Sequence, residues 1–483
     1  MTGEKAAYFI GLGGSGMMPL ALLARKKGWQ VAGSDPKINP ARLALLQREG
    51  IQWYSTPDPG QIQSGTDCIV YSTAIQDSHP ELEYARLKAH DQHWKVFHRM
   101  EFMQHLLANK SQQFGIAGTH GKTSTSSLGG WLLLQAGLEP DIIVGGHPLY
   151  LEGQIHAGQG DVALYETDES DGSFLKARAQ NRLVLNIDLD HLDYHGTFAK
   201  LQAAYVQFIR GADLAVLNAD DPVLRKYLLH PAQFDLQADQ LWWYSMDPHN
   251  THDFGPELQR RGIQAGPLPN SDSLQITSVC GDVADHRLQL PVPGLHFASN
   301  ALGLLFLLRI ALPAVALEEL LYYMETYPGV ERRMEQIGSM HNGSVAVYDD
   351  YAHHPVEIAA VLQALRLRLP DQARLHVIFQ PHRYTRTQEL FRQFAHSLIA
   401  ADTVSLLPLY AAGETPLEGI SSLTILQAIS AIQADQAGSV QVTLINENDY
   451  DAVFQLAQPG DIIACLGAGS ISEQVRAYLQ SRS

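Results

Sequence analysis

The chain has 483 residues, too many for one hydrophobic core, so about three domains are expected. Its formal net charge of −17 excludes bulk attraction to nucleic acid, so any phosphate it holds must be met by local loops. With 45% hydrophobic and 18% charged residues it reads as a globular chain rather than a disordered or fibrous one.

Residues 6–10 form an apolar run, and Gly11-Leu12-Gly13-Gly14-Ser15-Gly16 follows before a helical pattern to Lys27. A second strand starts at Gln30 and ends at Asp35. A strand, glycine loop, helix and strand with an acid about 20 residues on is the arrangement that places a pyrophosphate on a helix N-terminus. Asp35 would then meet a ribose or a base edge; the alternative is a solvated strand-end acid. Strand and helix patterns alternate through 68–71 and 81–90, and Phe97-His98-Arg99 leads into a short helix to Leu107. The polar residues 109–112 read as a linker, which gives a first domain over 1–109.

Residues 114–117 read as the end of a buried strand and 124–135 as a helix. Between them stands Gly118-Thr119-His120-Gly121-Lys122-Thr123-Ser124. Such a turn aims backbone N–H groups and a helix N-terminus at an anion. Lys122 can add a point charge to phosphate oxygens, and Thr123 can ligate magnesium. The spacing departs from the usual phosphate loop, because Ile116 stands where the first glycine would be.

Three further strands, at 162–165, 183–187 and 214–217, end in acids. The first runs into Glu166, Asp168, Glu169 and Asp171, the second into Asp188, Asp190, His191 and Asp193, and the third into Asp221. Open α/β sheets build their sites at such strand ends. Glu166 and His191, with Thr123, could hold a divalent metal; magnesium prefers oxygen ligands, and manganese tolerates a histidine better. Asp168, Asp171, Asp190 and Asp193 read as solvated or capping residues. Residues 231–285 read as surface hairpins, with Trp242-Trp243 in a packing role. Residues 291–300 lead into an apolar helix, and Tyr327-Pro328-Gly329 reads as a hinge.

Beyond the hinge, strands at 345–348, 376–379, 403–407, 440–445 and 462–466 alternate with helices. Two strand exits are dense in polar groups: Asp349-Asp350-Tyr351-Ala352-His353-His354 and Gln380-Pro381-His382-Arg383-Tyr384-Thr385-Arg386. Gly467-Ala468-Gly469 forms a third exit turn. The fold expected is α/β in three domains: a Rossmann-like domain over 1–109, a central phosphate-loop-type ATPase domain over 110–328, and a Rossmann-like domain over 329–483. Cys68, Cys280 and Cys465 lie far apart and are expected as small buried residues in a reducing compartment. The apolar stretch 301–317 is broken by Arg309 and Pro313, so no membrane insertion is expected, and the reading is cytoplasmic.

Two phosphate-type loops in one chain suggest a nucleotide-linked substrate together with a nucleoside triphosphate. A nicotinamide-dependent dehydrogenase would need only the first loop, and a non-enzymatic nucleotide sensor would leave the strand-exit clusters without a task. Residues 11–17, 118–123, 166–174, 186–191, 349–355, 379–387 and 410–414 resemble the Mur ligase family, the amino-acid-adding ligases of peptidoglycan synthesis. The runs Phe-Gln-Pro-His-Arg-Tyr-Thr-Arg-Thr and Asp-Asp-Tyr-Ala-His-His-Pro are long and specific, and the likeness is to the alanine-adding type.

This resemblance implies ATP-dependent amide formation between UDP-N-acetylmuramate and L-alanine through an acyl phosphate. It places the UDP-sugar in the first domain, near Gly13, Gly14, Ser15, Gly16, Asp35, Ser72 and Arg99. It places ATP on Gly118, Thr119, His120, Gly121, Lys122, Thr123, Ser124, Asn300, Arg332 and Asp350. Magnesium falls to Thr123, Glu166 and His191, and L-alanine to Tyr351, His353, Arg383 and Arg386. Lys122, Glu166, His191, His353, Arg383 and Arg386 would carry the chemistry. A sister ligase that attaches a recycled tripeptide is the nearest alternative. Three positions depart from the family pattern: Phe297 replaces an adenine-facing asparagine, Met334 a phenylalanine, and Leu185 a threonine.

Overall fold

A computed structural model describes residues 5–190, 192–267, 274–276, 286–340, 343–435, 440–447 and 449–482. Its strands form three sheets. The first is fully parallel, in the order Gln52–Tyr54, Gln30–Ser34, Ala6–Ile10, Cys68–Tyr71, Lys95–His98. Its inner strands Ala6–Ile10 and Cys68–Tyr71 are short, mostly buried apolar runs, as parallel pairing with helical crossovers demands.

The central sheet has ten strands. Seven of them run parallel, in the order Gly262–Pro267, Leu241–Ser245, Leu214–Asn218, Asn181–Val184, Gln112–Ala117, Val162–Glu166, Asp141–Ile143. Antiparallel strands finish both edges. The reading of 231–285 as surface hairpins is corrected here. Leu241–Ser245 is a buried parallel strand, with Trp243 1% exposed and Trp242 packed edge-on against Phe306. Both tryptophans therefore pack, as expected, but in the interior of the sheet. The expected strand at 183–187 begins earlier and stops at Val184. Leu185 keeps one further ladder bond, to Ala117, and Asn186 then turns into the neighbouring loop.

The third sheet is ordered Glu335–Met340, Val345–Asp350, Ile462–Leu466, Leu375–Phe379, Thr403–Leu406, Gln441–Leu444, parallel except for its first strand. By contacts the chain forms two compact units. One comprises 1–289 and 299–328, and the other 290–298 and 329–483. The short segment 290–298 thus belongs with the third sheet: Val292 packs against its core, and Arg368 donates to the Pro291 carbonyl at 3.2 Å.

Cys68 and Cys465 are buried and free, and Cys280 lies outside the described residues. Among the described residues no helix is long and apolar enough to cross a membrane.

Candidate active site

The Lys122 loop leaves the strand Gln112–Ala117, which lies between Asn181–Val184 and Val162–Glu166. Three strand ends therefore converge. The helix begins at Lys122, two residues earlier than expected. Gly118 and Gly121 take φ of 147° and 85°, values that favour glycine. A Cβ on Gly121 would also lie 2.3 Å from the Asn300 side-chain nitrogen. Asn300 is 6% exposed and so packs against the phosphate-type loop itself.

Asn186 holds the loop from the neighbouring strand exit. Its Oδ1 accepts the His120 N–H at 2.8 Å, and its Nδ2 donates to the His120 carbonyl at 3.0 Å. Thr119 Oγ1 accepts the Asp188 N–H at 2.9 Å, and the His120 ring faces Asp188 at 3.3 Å. The first N–H groups of the helix, at Lys122, Thr123 and Ser124, have no intrahelical acceptor and are available to an anion.

Lys122 Nζ donates to Glu169 Oε2 at 2.8 Å, Oε1 at 3.0 Å and the Gly118 carbonyl at 2.6 Å. Burial alone would lower its pKa, but Glu169 and Asp168 reverse this and raise it, so the ammonium stays charged. Thr123 Oγ1 donates to Glu166 Oε1 at 2.8 Å, and the Gly145 amide donates to Glu166 Oε2. Burial raises the Glu166 pKa, against the pull of Lys122 and Thr123. His191 lies outside the described residues. Among the described residues no cluster of three or more His, Cys, Asp or Glu side chains could hold a metal alone. Two hard oxygens beside a phosphate-type loop still fit magnesium, which keeps waters and phosphate oxygens among its ligands.

In the first sheet the glycine loop is braced from within. Gly11 and Leu12 donate to the Ser34 carbonyl at 2.8 and 3.0 Å. Asp35, expected at a ribose, accepts the Gly13 amide at 2.9 Å and the Lys37 amide at 2.8 Å. Its carboxylate therefore shapes the loop that carries Gly14, Ser15 and Gly16. Ser72, just past the strand Cys68–Tyr71, accepts the Ile75 amide on its carbonyl at 3.0 Å. Arg99 Nη2 lies 3.1 Å from Asp171 and 2.9 Å from Ser173 Oγ. Asp171, expected as a solvated or capping acid, does accept the Ser173 amide locally, and it also ties Arg99 and Thr73 to the central sheet.

The third sheet gathers the two polar exits. Asp350 is buried and accepts the Met334 and Ala352 amides at 2.7 and 2.8 Å. Burial raises its pKa to about 6. Tyr351 lies under both Arg332 and Arg333, whose guanidinium carbons are 4.8 and 5.3 Å from its ring centre. Arg332 also donates to the Gly467 carbonyl at 2.5 Å. Arg383 holds φ at 71° while its N–H donates to the Tyr410 carbonyl at 2.9 Å. A non-glycine residue in this region stores about 1–3 kcal/mol, which the surrounding structure must supply.

His353 and His382 lie with ring centres 5.8 Å apart, and His382 stacks on Tyr410 at 5.6 Å. His353 Nδ1 is 3.0 Å from the Tyr351 carbonyl, which assigns the proton to Nδ1 and leaves a lone pair on Nε2. Burial pushes both imidazoles down to about 4, and the Arg386 charge adds to this in each. Both are therefore neutral at pH 7.

These shifts fix a pH dependence. Between about pH 6.5 and 4 the unfolded chain binds protons that these histidines refuse in the fold. Stability from this source is complete above pH 6.5 and falls as pH drops toward 4. Asp350 contributes the opposite slope between about 3.8 and 6. The thermal midpoint of the wild type should fall on acidification from pH 7 to 5, and His382→Asn should fall less. Equal slopes in the two proteins would reject the assignment.

Loops of phosphate-binding type on two parallel sheets, with a third sheet carrying arginine and histidine clusters, define a three-domain α/β nucleotide-using protein. A UDP-N-acetylmuramate–L-alanine ligase from Desulforamulus reducens is 34% identical over 97% of this chain and 96% of its own length. The chain belongs to the Mur ligase family. Three family descriptions match it: "Mur ligase family, catalytic domain" over 6–111, "Mur ligase middle domain" over 116–308, and "Mur ligase, glutamate ligase domain" over 332–469. A relative of the same name from Synechococcus is 34% identical over 98% of this chain and 97% of its own. Among solved structures, the UDP-N-acetylmuramate-alanine ligase of Thermotoga maritima shares the fold with TM-score 0.75 at 23% identity, over 99% of both chains. A murein peptide ligase from Psychrobacter arcticus shares it at TM-score 0.64 and 22% identity, over 99% of this chain and 98% of its own. Neither the dehydrogenase nor the sensor reading accounts for these matches or for the Lys122 loop.

Proposed function

We propose that this chain joins L-alanine to UDP-N-acetylmuramate at the expense of ATP, in bacterial peptidoglycan synthesis. The observation that carries this reading is the Lys122 loop, a charged and pre-shaped phosphate cradle, within a chain that matches alanine-adding relatives along nearly its whole length. The loop amides, Lys122, the helix N-terminus and Asn300 would hold the triphosphate, and Arg332 and Asp350 are proposed as further ATP-binding residues. Thr123 and Glu166, joined by His191, would hold a magnesium ion, which supplies positive charge to the phosphate oxygens when bound.

The lactoyl carboxylate attacks the γ-phosphorus, the bond to the β-phosphate oxygen breaks, and ADP leaves with that electron pair. Lys122 stabilises charge on the transferring oxygens, a task of position and electrostatics rather than covalent chemistry. The amine of L-alanine then attacks the acyl carbon, inorganic phosphate leaves, and the amine gives up a proton. The free Nε2 of neutral His353 is suited to receive it. Arg383 and Arg386 would hold the amino acid's carboxylate, and Tyr351 its methyl side. We infer a cytoplasmic location from the proposed substrates.

Phosphate release should require both UDP-N-acetylmuramate and L-alanine. Release with the tripeptide but not alanine would move the chain to the sister activity. In the same assay, Glu166→Ala and His191→Ala should raise the magnesium concentration that gives half activity. An unchanged magnesium requirement with a lowered thermal midpoint would make either residue a packing residue instead.

A further inference from the structure

Residues 166–173 touch the Lys122 loop and also Arg99, which lies beside the glycine loop at Gly16. Glu166 meets Thr123, Glu169 meets Lys122, and Asp171 with Ser173 meets Arg99. Asp171 Oδ2 accepts from Thr73 Oγ1 at 2.8 Å and from Arg99 Nη2 at 3.1 Å, while Oδ1 accepts the Ser173 amide at 3.0 Å. The Arg99 side chain is 19% exposed and that of Asp171 18%. Burial raises the Asp171 pKa, but Arg99 and these hydrogen bonds bring it down to about 2, so it is ionised at any working pH.

The guanidinium is a planar fork, and its two ends face different partners. Nη2 is anchored on the central sheet's Asp171 and Ser173. Nη1 lies beside Gly16, where an added Cβ would be 3.0 Å from it. Gly16 caps the helix Met17–Lys26, where the glycine loop would receive a pyrophosphate.

We propose that Asp171 is a positioning residue for the sugar nucleotide. Acting through Arg99, it fixes the guanidinium beside the glycine loop and links that loop to the Lys122 loop along residues 166–173. This rests on the proposed UDP-sugar site in the first domain. A guanidinium oriented beforehand loses little rotamer freedom when a phosphate arrives, which favours binding. Because the same segment holds Lys122, occupancy of one loop biases the other, and the coupling is reciprocal.

Calorimetric titration of UDP-N-acetylmuramate, with and without a non-hydrolysable ATP analogue, tests this. Asp171→Asn should weaken the sugar nucleotide by about 10-fold, as expected for losing a charged hydrogen-bond acceptor. The analogue bound alone should keep its affinity within about twofold, and its several-fold tightening of the sugar nucleotide should vanish. Asp171→Glu, which keeps the charge one methylene further out, should recover part of both effects, and it carries the test should Asp171→Asn fail to fold. A pair that serves only as a structural joint would lower the thermal midpoint and leave affinity and coupling at wild-type values, which would overturn the proposal. Wild type that binds no UDP-N-acetylmuramate would instead overturn the functional reading, and this proposal with it.

Discussion

Lys122→Ala should reduce amide formation by roughly 100- to 1000-fold, the usual cost of removing one electrostatic stabiliser aimed at a developing charge. The structure adds a second consequence. Both Glu169 oxygens sit on the Lys122 ammonium, and the Glu169 side chain is fully buried. Removing one partner of a buried ion pair costs about 3–5 kcal/mol. The single variant should therefore be slower and also less stable. Lys122→Ala with Glu169→Ala removes both charges, so it should recover thermal stability without recovering turnover. Measuring amide formation beside thermal unfolding separates the two effects. A folded Lys122→Ala enzyme within about threefold of the wild-type rate, far short of that cost, would remove the lysine from the chemistry.

Arg383→Lys should raise the KM for L-alanine by about 10- to 100-fold, since a charged hydrogen bond is worth about 1.5–3 kcal/mol and lysine lacks the paired geometry. Arg383 and Arg386 follow the strand Leu375–Phe379, and the bond from Arg383 N–H to Tyr410 fixes where the first of them leaves the backbone. The forecast is selective. Acyl phosphate formation needs no amino acid, so borohydride trapping of the intermediate as an alcohol should proceed in the variant. Wild-type alanine kinetics in both Arg383→Lys and Arg386→Lys would discard the site. Equal damage to both half-reactions would assign the arginines to phosphoryl transfer.

Most strands were legible because a parallel strand buried on both faces is a short apolar run between turn residues, and Ala6–Ile10 and Ile462–Leu466 fall where the pattern puts them. Leu241–Ser245 has the same composition, yet its partners in the sheet are chosen by topology, which no local pattern carries. The site divides similarly. Glycines at 118 and 121 announce a turn with positive φ, and the lysine after them has few other reasons to stand there. In the acidic run after Val162–Glu166, side-chain alternation stops with the strand, so spacing could not tell that Glu169 turns inward to Lys122 and Asp171 toward Arg99. The spacing of Asp35 leaves a ligand contact and a solvated strand-end acid both open, and its carboxylate accepts two backbone amides. Phe297, read as a missing adenine contact, is 3% exposed, so its ring is a core residue whose replacement by asparagine would bury an amide.

The membership of 290–298 in the second compact unit bears on how the protein can be dissected. A fragment beginning at Gly329 contains every strand of the third sheet but omits those nine residues. It would lack Val292 from its apolar core and the Pro291 carbonyl that receives Arg368. Cutting after Pro328 should therefore yield a piece with an uncovered apolar surface, prone to aggregate. A faithful excision has to carry 290–298 along, rejoined by a new linker to Gly329, because this compact unit is discontinuous in sequence.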